Sequence, residues 1–307
     1  MNKATPTRAQ NALDYMVNLV LKGAIGTALA LPYATRVRLM GWLTAEVLAP
    51  IGGFRKRVRD NLAHVLPDLP EAEIRRLCRA VPDNAGRTLI EIYSGQDFVE
   101  RAIAAPIEGP GLARLEAARA AGRPVILVTG HMGNYDAVRA NLIHRGYNMG
   151  ALYRRMSNPY FNDHYVRSIS SIGTPMFEQG RRGMIEMVRH IKGGGILGIL
   201  TDLYVQDGEA LDFFGKKART SLITAELALK YDAALIPVYG LRRPDGLSFR
   251  IVALEEIPHS DALTMTQAVN DGLEALVRDN LDQWFWIHRR WKHADLDLRK
   301  PGGRPRT

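Results

Sequence analysis

The spacing of apolar and polar residues divides this chain into a helical first part and an alternating second part. From Tyr15 to Thr35 the residues YMVNLVLKGAIGTALALPYAT are apolar for about twenty positions, interrupted by Lys22 and ended by Pro32. A spanning helix needs about 20 apolar residues, and a cation near its centre costs about 2.5–3.5 kcal/mol on insertion scales, so this stretch supports spanning only weakly. It has no short apolar core followed by a small-residue cleavage site, which argues for a retained segment over a removed signal peptide. The next stretch, TRVRLMGWLTAEVLAPIGGFRKRVRDNL, mixes Leu, Met, Val and Trp with clustered Arg. That mixture suits helices lying in a membrane interface; a helical subdomain packed on the core is the alternative. Helical spacing continues over Glu71 to Val81 and Asn84 to Ser94.

From Arg123 onward the period changes. Short aliphatic and β-branched runs at Val125 to Thr129, Met149 to Tyr153, Ile196 to Thr201, Leu235 to Leu241 and Phe249 to Leu254 predict strands. Helix-period segments fall between them at Tyr135 to His144, Pro159 to Ser171, Arg182 to Lys192 and Ser221 to Tyr231. Strands separated by helices predict an α/β fold with a mostly parallel central sheet flanked by helices. The last long helical pattern opens at Asp261 as a cap and runs to about Lys292, ending in WFWIHRRWK. The expected organisation is three regions: membrane-associating helices over 1–60, an α/β domain over 61–295, and a basic tail over 296–307.

Charge adds a direction to this picture. The net charge of +9 is unevenly placed: Met1 to Asp60 carries nine Lys/Arg against three Asp/Glu, His288 to Thr307 seven against two, and the middle 25 against 27. A basic surface at the two ends suits an anionic partner, whether nucleic acid, an acidic membrane or an acidic carrier protein. Against nucleic acid, no basic motif bearing aromatics of the known modules is present. The single cysteine, Cys78, excludes an internal disulfide and sits at a half-buried helix position in EAEIRRLCRAV.

Several chemistries lose their support on motif grounds. Gly193, Gly195 and Gly198 match a dinucleotide fingerprint, but a helix precedes them and a strand follows, the reverse of what pyrophosphate binding needs. These glycines read as the end of the helix MIEMVRHIK. The chain has no G-x-S-x-G elbow, no Walker A loop and no H-E-x-x-H pair. What remains is RPVILVTGHMGNYDAV, where a buried strand ends and His131 emerges at its carboxyl end, the position favoured for functional groups in open α/β sheets. Asn134 caps the following helix and places Asp136 in its first turn, from which its carboxylate is expected to reach the imidazole. Such a pair fixes one tautomer and leaves the other ring nitrogen free to take a proton near neutral pH. No Ser or Cys lies beside His131, so the natural nucleophile is a substrate hydroxyl. Gly130 and Gly133 allow close backbone approach and are expected to offer N–H groups to a developing oxyanion.

The segment H-M-G-N-Y-D fits the His-x4-Asp/Glu motif of the glycerolipid acyltransferase superfamily. With RDNLAHVLPDLPEAE, LYRRMSNPYFN, ILTDLYVQDGEALDFFGKKARTS and QWFWIHRRWK in the same order, the chain resembles the bacterial lipid A biosynthesis acyltransferases of the lauroyl/myristoyl type along most of its length. The resemblance implies that His131 is the base and Asp136 its orienting partner. It implies substrate-binding roles for Gly133, Asn134, Arg154, Arg167, Asp202, Phe214 and Gly215, with Thr220 in the same block. Arg154 and nearby N–H groups would stabilise the tetrahedral charge. Leu203 stands where the family has Gln after the Asp, and Leu281 where it often has Pro. His288, Arg289, Arg290 and Lys292 match the terminal block and are expected to anchor a helix at an interface. The implied reaction is direct transfer of an acyl chain from a thioester of acyl carrier protein or CoA to a hydroxyl of an anionic lipid A precursor. It needs no metal and no other cofactor, and takes place at the cytoplasmic face of the bacterial inner membrane. Another glycolipid or glycerolipid acceptor, such as a mannosylated phosphoinositide, and a non-catalytic basic membrane-binding protein are the alternatives.

Overall fold

The computed structural model describes residues 8–292. Its first part is helical: α1 (Arg8–Leu29), α2 (Tyr33–Leu43), a π-helical turn at Thr44–Leu48, α3 (Ala49–Ile51), α4 (Phe54–Val65), α5 (Glu71–Tyr93) and α6 (Gln96–Ile103). Then come β1 (Ile107–Glu108), α7 (Gly111–Ala120), β2 (Val125–Thr129), α8 (Tyr135–His144), β3 (Met149–Tyr153), α9 (Pro159–Ile172), β4 (Met176–Glu178), α10 (Arg181–Lys192) and β5 (Ile196–Leu200). A hairpin of β6 (Glu209–Phe213) and β7 (Lys216–Thr220), then α11 (Ile223–Tyr231), β8 (Ala234–Arg242), β9 (Phe249–Ala253) and α12 (Ala262–Asp279) complete the order.

Seven strands form one sheet in the order β1-β9-β8-β2-β5-β3-β4, with every neighbouring pair parallel except β8 and β9. The mostly parallel α/β architecture predicted from the alternation is therefore the observed one. Parallel sheets are covered on both faces, and β2 explains why its run is continuously apolar. Val125 and Leu127 pack with residues of α5, α6 and α8, while Ile126 and Val128 pack with α10, α11 and α12.

The helical part meets the sheet through α5. Its sequence suggests two segments divided at Pro82, but the helix runs unbroken from Glu71 to Tyr93. Proline inside a helix costs about 3 kcal/mol, so packing must hold it. The observed reason is a tight crossing with α2: a Cβ on Gly41 would lie 2.5 Å from Asp83 Oδ1, and one on Gly86 would lie 2.4 Å from the Met40 carbonyl. Two glycines let the helix backbones approach where side chains would separate them. The boundary expected at residue 60 falls inside α4.

Among the described residues, Gln10–Leu29 of α1 is the one stretch long and apolar enough to cross a membrane. Its outward face carries Leu13, Met16 and Val20, and exposed apolar residues continue at Trp42, Leu48 and Ile51. On its inner side α1 is tied to α9: Asn158 Nδ2 donates to the Asp14 carbonyl at 2.7 Å, and the rings of Tyr15 and Tyr160 meet edge-on at 5.4 Å.

The C-terminal pattern behaves differently from its prediction. Helix α12 opens on Asp261, whose Oδ1 accepts from the Leu263 and Thr264 amides, but it ends at Asp279 instead of continuing to Lys292. The segment beyond it turns inward, and Trp284, Trp286 and Trp291 are buried with Phe213 and Phe214 in one aromatic cluster. The expectation of an interface-anchoring helix is corrected: the indoles are packed against the body, where their large apolar area is removed from water. Arg290 is likewise fully buried. The tail expected over 296–307 lies outside the described residues.

Candidate active site

His131 leaves β2 two residues after its last strand position, and Asp202 leaves β5 in the same way. The two strands are parallel neighbours with Thr129 opposite Leu200, so the ladder alone carries both side chains to the same place. Thr201 extends the pairing by donating its amide to the Thr129 carbonyl at 3.0 Å. The His131 ring Nδ1 then lies 2.8 Å from Asp202 Oδ1, and the His131 amide donates to Oδ2 at 2.7 Å. Trp284 Nε1 donates to the same Oδ2 at 2.9 Å.

Asp202 is buried, and burial pushes its carboxyl upward. The adjoining imidazole and the hydrogen bonds from His131 and Trp284 outweigh that effect and hold it down at about 2. Asp202 is therefore an anion at any neutral pH. A carboxylate on Nδ1 keeps the proton there and leaves Nε2 as the free acceptor, the arrangement a general base needs. The side chain of His131 retains 25% exposure while that of Asp202 has 2%, so the imidazole faces solvent and the carboxylate stands behind it.

This geometry corrects the expected partner. Asp136 does follow the cap, with its amide donating to Asn134 Oδ1 at 3.0 Å, but its carboxylate turns to Arg139 at 2.7 Å in a buried ion pair. Arg139 in turn donates to the carbonyls of Gly173 and Ile169, so Asp136 fastens α8 to α9. The first turn of α8 directs this side chain along its own helix, away from the strand end that carries the imidazole.

The loop holding His131 is pinned on every side. Its carbonyl accepts from the Phe285 amide at 2.9 Å, and the Gly133 amide donates to Gln283 at 3.0 Å. The Asn134 amide donates to Gly240 at 2.8 Å, and the Met132 amide to Gly130 at 2.8 Å. The expectation of an N–H open to an oxyanion is thus corrected for Gly133: the amides of residues 131 to 134 are already bonded within the protein. Gly133 has φ +52°, and a Cβ there would lie 2.1 Å from the Gly240 carbonyl, so this position is glycine because the backbone of β8 passes against it. From α5, Thr88 and Asn84 donate to the Gly133 carbonyl at 2.8 and 3.3 Å.

Behind the loop lies a buried charge pair that sequence reasoning missed. Arg242 and Glu91 meet at 2.5 Å with side chains almost wholly buried, and Asn134 Nδ2 donates to Glu91 at 2.8 Å. Burial would push the Arg242 guanidinium down, but Glu91 holds it above its ordinary range. Tyr33 of α2 donates to the same Glu91 at 3.3 Å. Asn134, expected to touch substrate, is fully buried in this network and cannot.

Other expected contacts are placed elsewhere. Phe214 and Gly215 form the two-residue turn of the β6–β7 hairpin, both with positive φ, the conformation such hairpins favour. The Phe214 ring is buried against Trp286, and neither residue lines the cleft at His131. Thr220 is buried and accepts from Arg290 at 2.5 Å; Arg290 also donates to the carbonyls of Leu203 and Arg219 and so fixes the segment after Asp202. His288 Nε2 accepts from the Tyr204 amide at 2.8 Å, fastening that segment a second time. Arg154 is exposed at the end of β3, and Arg167 is exposed on α9.

A cleft of about 190 Å³ opens at His131. Its walls include Tyr135 and Phe285 beside the imidazole and Val81, Leu89 and Ile92 from α5. The Tyr135 ring stands edge-on to His131 at 5.5 Å, and its hydroxyl has no hydrogen-bond partner among the described residues. Burial, with Asp136 next, pushes that hydroxyl well above its ordinary value, so it remains a proton donor. A mostly apolar cleft ending at a carboxylate-bonded imidazole suits an apolar group that carries a polar reactive end.

The bacterial lipid A biosynthesis acyltransferase family matches residues 7–293. A phosphatidylinositol mannoside acyltransferase of Mycobacterium tuberculosis is 25% identical over 258 residues, covering 82% of this chain and 81% of its own. The lipid A biosynthesis lauroyltransferase of Escherichia coli is 24% identical over 276 residues, covering 88% and 89%. A phosphatidylinositol mannoside acyltransferase of Mycolicibacterium smegmatis is 24% identical over 248 residues, covering 80% and 81%. With a family match that spans nearly the whole chain and relatives that are themselves acyltransferases, this protein belongs to the bacterial lipid A biosynthesis acyltransferase family and is an O-acyltransferase.

Proposed function

We propose that this enzyme transfers a fatty acyl chain from a thioester of acyl carrier protein or CoA to a hydroxyl of a lipid A precursor, with His131 as base and Asp202 as its orienting partner. The observation that carries the reading is the 2.8 Å contact between His131 Nδ1 and Asp202 Oδ1 at the mouth of an apolar cleft. Acyl transfer to a glycolipid is common to the relatives named above.

His131 Nε2 takes the proton of the acceptor hydroxyl as its oxygen attacks the thioester carbonyl carbon. The tetrahedral intermediate collapses with cleavage of the C–S bond, and the imidazolium returns its proton to the departing sulfur. Asp202 stays ionised throughout and stabilises the imidazolium. With the amides of residues 131 to 134 occupied, the Tyr135 hydroxyl is assigned as the donor to the developing oxyanion. The apolar walls of the cleft take the acyl chain. Arg154 and Arg167 are assigned to anionic groups of the substrates. The exposed apolar faces of α1 and of the α2–α3 corner seat the protein on the cytoplasmic side of the inner membrane.

The test is an acyl-transfer assay read by mass spectrometry, with carrier-protein and CoA thioesters as donors and a lipid A precursor as acceptor. His131→Ala and Asp202→Asn, each checked for folding, are expected to lower turnover by at least about 10²-fold, the scale of general-base catalysis. Full turnover by His131→Ala would end the scheme. A mannosylated phosphoinositide acceptor is the second reading, favoured by the names of the mycobacterial relatives. An added acyl chain on that lipid and not on the lipid A precursor would select it.

A further inference from the structure

The outer face of α10 mixes cations with apolar side chains. Arg181, Arg182, Ile185, Glu186 and Arg189 line one shallow hollow on that helix. Ile185 is 48% exposed there, and Met184 beside it 37%. Glu186 answers Arg182 at 2.9 Å, while Arg181, Arg189 and Lys192 have no carboxylate partner among the described residues. The basic strip continues to the end of α11, where the Nζ atoms of Lys192 and Lys230 each lie 5.7 Å from the Tyr231 ring centre and Leu229 is exposed. On α5 the arginines are neutralised instead: Arg75 by Glu71, Arg76 by Glu73, Arg79 by Glu46 and Arg87 by Asp83.

The sheet separates this face from the apolar one. Ile25 and Ala28 of α1 pack in the cluster of Val125 and Leu127, whereas Met187 and Ile191 of α10 pack in that of Ile126 and Val128. Alternate residues of a strand point to opposite faces, so α1 and α10 belong to opposite layers. A protein seated on a bilayer through α1 therefore turns α10 toward water. Its cations meet a dissolved partner and not lipid headgroups.

The start of α10 nevertheless lies at the edge that carries His131. β2, β5, β3 and β4 are all parallel, and β4 leads directly into α10. At a spacing of about 4.8 Å, β4 stands three strands, roughly 14 Å, from the strand of His131. Gly183 seats the helix firmly on that strand, since a Cβ there would lie 1.8 Å from the Glu178 carbonyl. The face is thus rigid and set beside the site without being part of it.

Arg and Met are enriched where proteins meet one another, and complementary charge steers the encounter. The complement of this face is an acidic helix with apolar side chains between its carboxylates. From Arg181 to Arg189 the face runs roughly 12 Å, about two turns of such a helix. A nucleotide carrier would instead need donors converging on its phosphates, and Ile185 and Met184 would remain uncovered. We propose that the outer face of α10 docks an acidic acyl carrier protein, whose tethered thioester crosses the carboxyl edge of the sheet to His131. This rests on the reading of the reaction as transfer from a thioester, and it selects the carrier protein over CoA.

The test compares the unaltered protein with the double variant Ile185→Ser, Arg189→Glu, both at exposed positions. Donors are the carrier-protein thioester and the CoA thioester of the same chain, with a lipid A precursor in detergent micelles as acceptor. For the carrier donor the variant is expected to show a KM at least about tenfold higher with kcat within about twofold. The KM for the CoA thioester should not move, and added salt should narrow the difference between the two proteins. An equal rise for both donors, no rise for the carrier, or use of CoA alone by the unaltered protein would overturn the docking face. Biolayer interferometry with the holo carrier protein reads docking without chemistry. Should neither protein acylate this lipid, tenfold weaker carrier binding by the variant would still support the face. Equal binding, or no binding by the unaltered protein, would remove it.

Discussion

Trp284 Nε1 donates to Oδ2 of Asp202 at 2.9 Å, the oxygen that faces away from the His131 ring. The carboxylate is thus held by an indole from the far end of the chain. Trp284→Phe keeps most of the buried aromatic volume and removes this donor. A hydrogen bond to a charged group is worth about 1.5–3 kcal/mol, so turnover should fall roughly 10- to 100-fold. Steady-state kinetics with a folded variant check this; unchanged kcat would mean that Asp202 is positioned without the indole.

The two aspartates near His131 should separate cleanly. Asp202→Asn is expected to abolish most turnover while leaving the fold. Asp136→Asn leaves Arg139 buried beside a neutral partner, and breaking a buried pair typically costs about 3–5 kcal/mol. Its denaturation midpoint should drop markedly, while kcat per folded molecule falls less than tenfold. The reverse ranking would restore Asp136 as the partner of the imidazole.

Gly133 permits the loop to pass against β8. In Gly133→Ala the new Cβ would meet the Gly240 carbonyl at 2.1 Å in a left-handed conformation. Strained backbone of this kind costs about 1–3 kcal/mol before the clash is counted. The variant should lose more than about 2 kcal/mol in urea unfolding and lose activity with it.

His288 sets a pH window. Burial pushes its imidazole from 6.5 down to about 4; Asp202 opposes the shift, while His131 and Arg290 reinforce it. The unfolded chain therefore binds a proton below 6.5 that the folded ring resists. Stability from this residue is full above pH 6.5 and falls as pH drops toward 4. In His288→Gln, whose carbonyl oxygen can accept from Tyr204, the decline in melting temperature between pH 6.5 and 4 should be smaller than in the unaltered protein. Identical slopes would show that His288 does not control this window.

The alternation of strands and helices from Val125 to Ala253 was legible because parallel strands buried on both faces must be continuously apolar. The cap at Asn134 and the emergence of His131 were legible for equally local reasons. Strand β4 is only three residues long, and β6 and β7 carry charged residues on their exposed face, so neither announces itself. The partner of His131 was misread because five residues of separation on the chain looked close, whereas the ladder makes Asp202 closer. The pattern itself held a clue: LVTGH and GILTD are both apolar runs that end in Thr followed shortly by a polar group. Glu91 and Arg242 escaped because a charged residue in an amphipathic helix or at a strand end is ordinarily a surface residue. The indoles of the last segment were assigned to an interface because a run of Trp and Arg has the same composition whether it faces lipid or folds inward.

The crossing of α2 over α5 has a practical corollary. Tyr33 reaches Glu91, and Glu91 holds Asn134, three residues from the His131 imidazole. A chain shortened to start after residue 60, as one might design to shed the oily helices, would uncover the α2-facing side of α5 and strip a ligand from that buried carboxylate. Solubility gained by such trimming would be accompanied by a loosened carboxylate network behind the loop that carries His131.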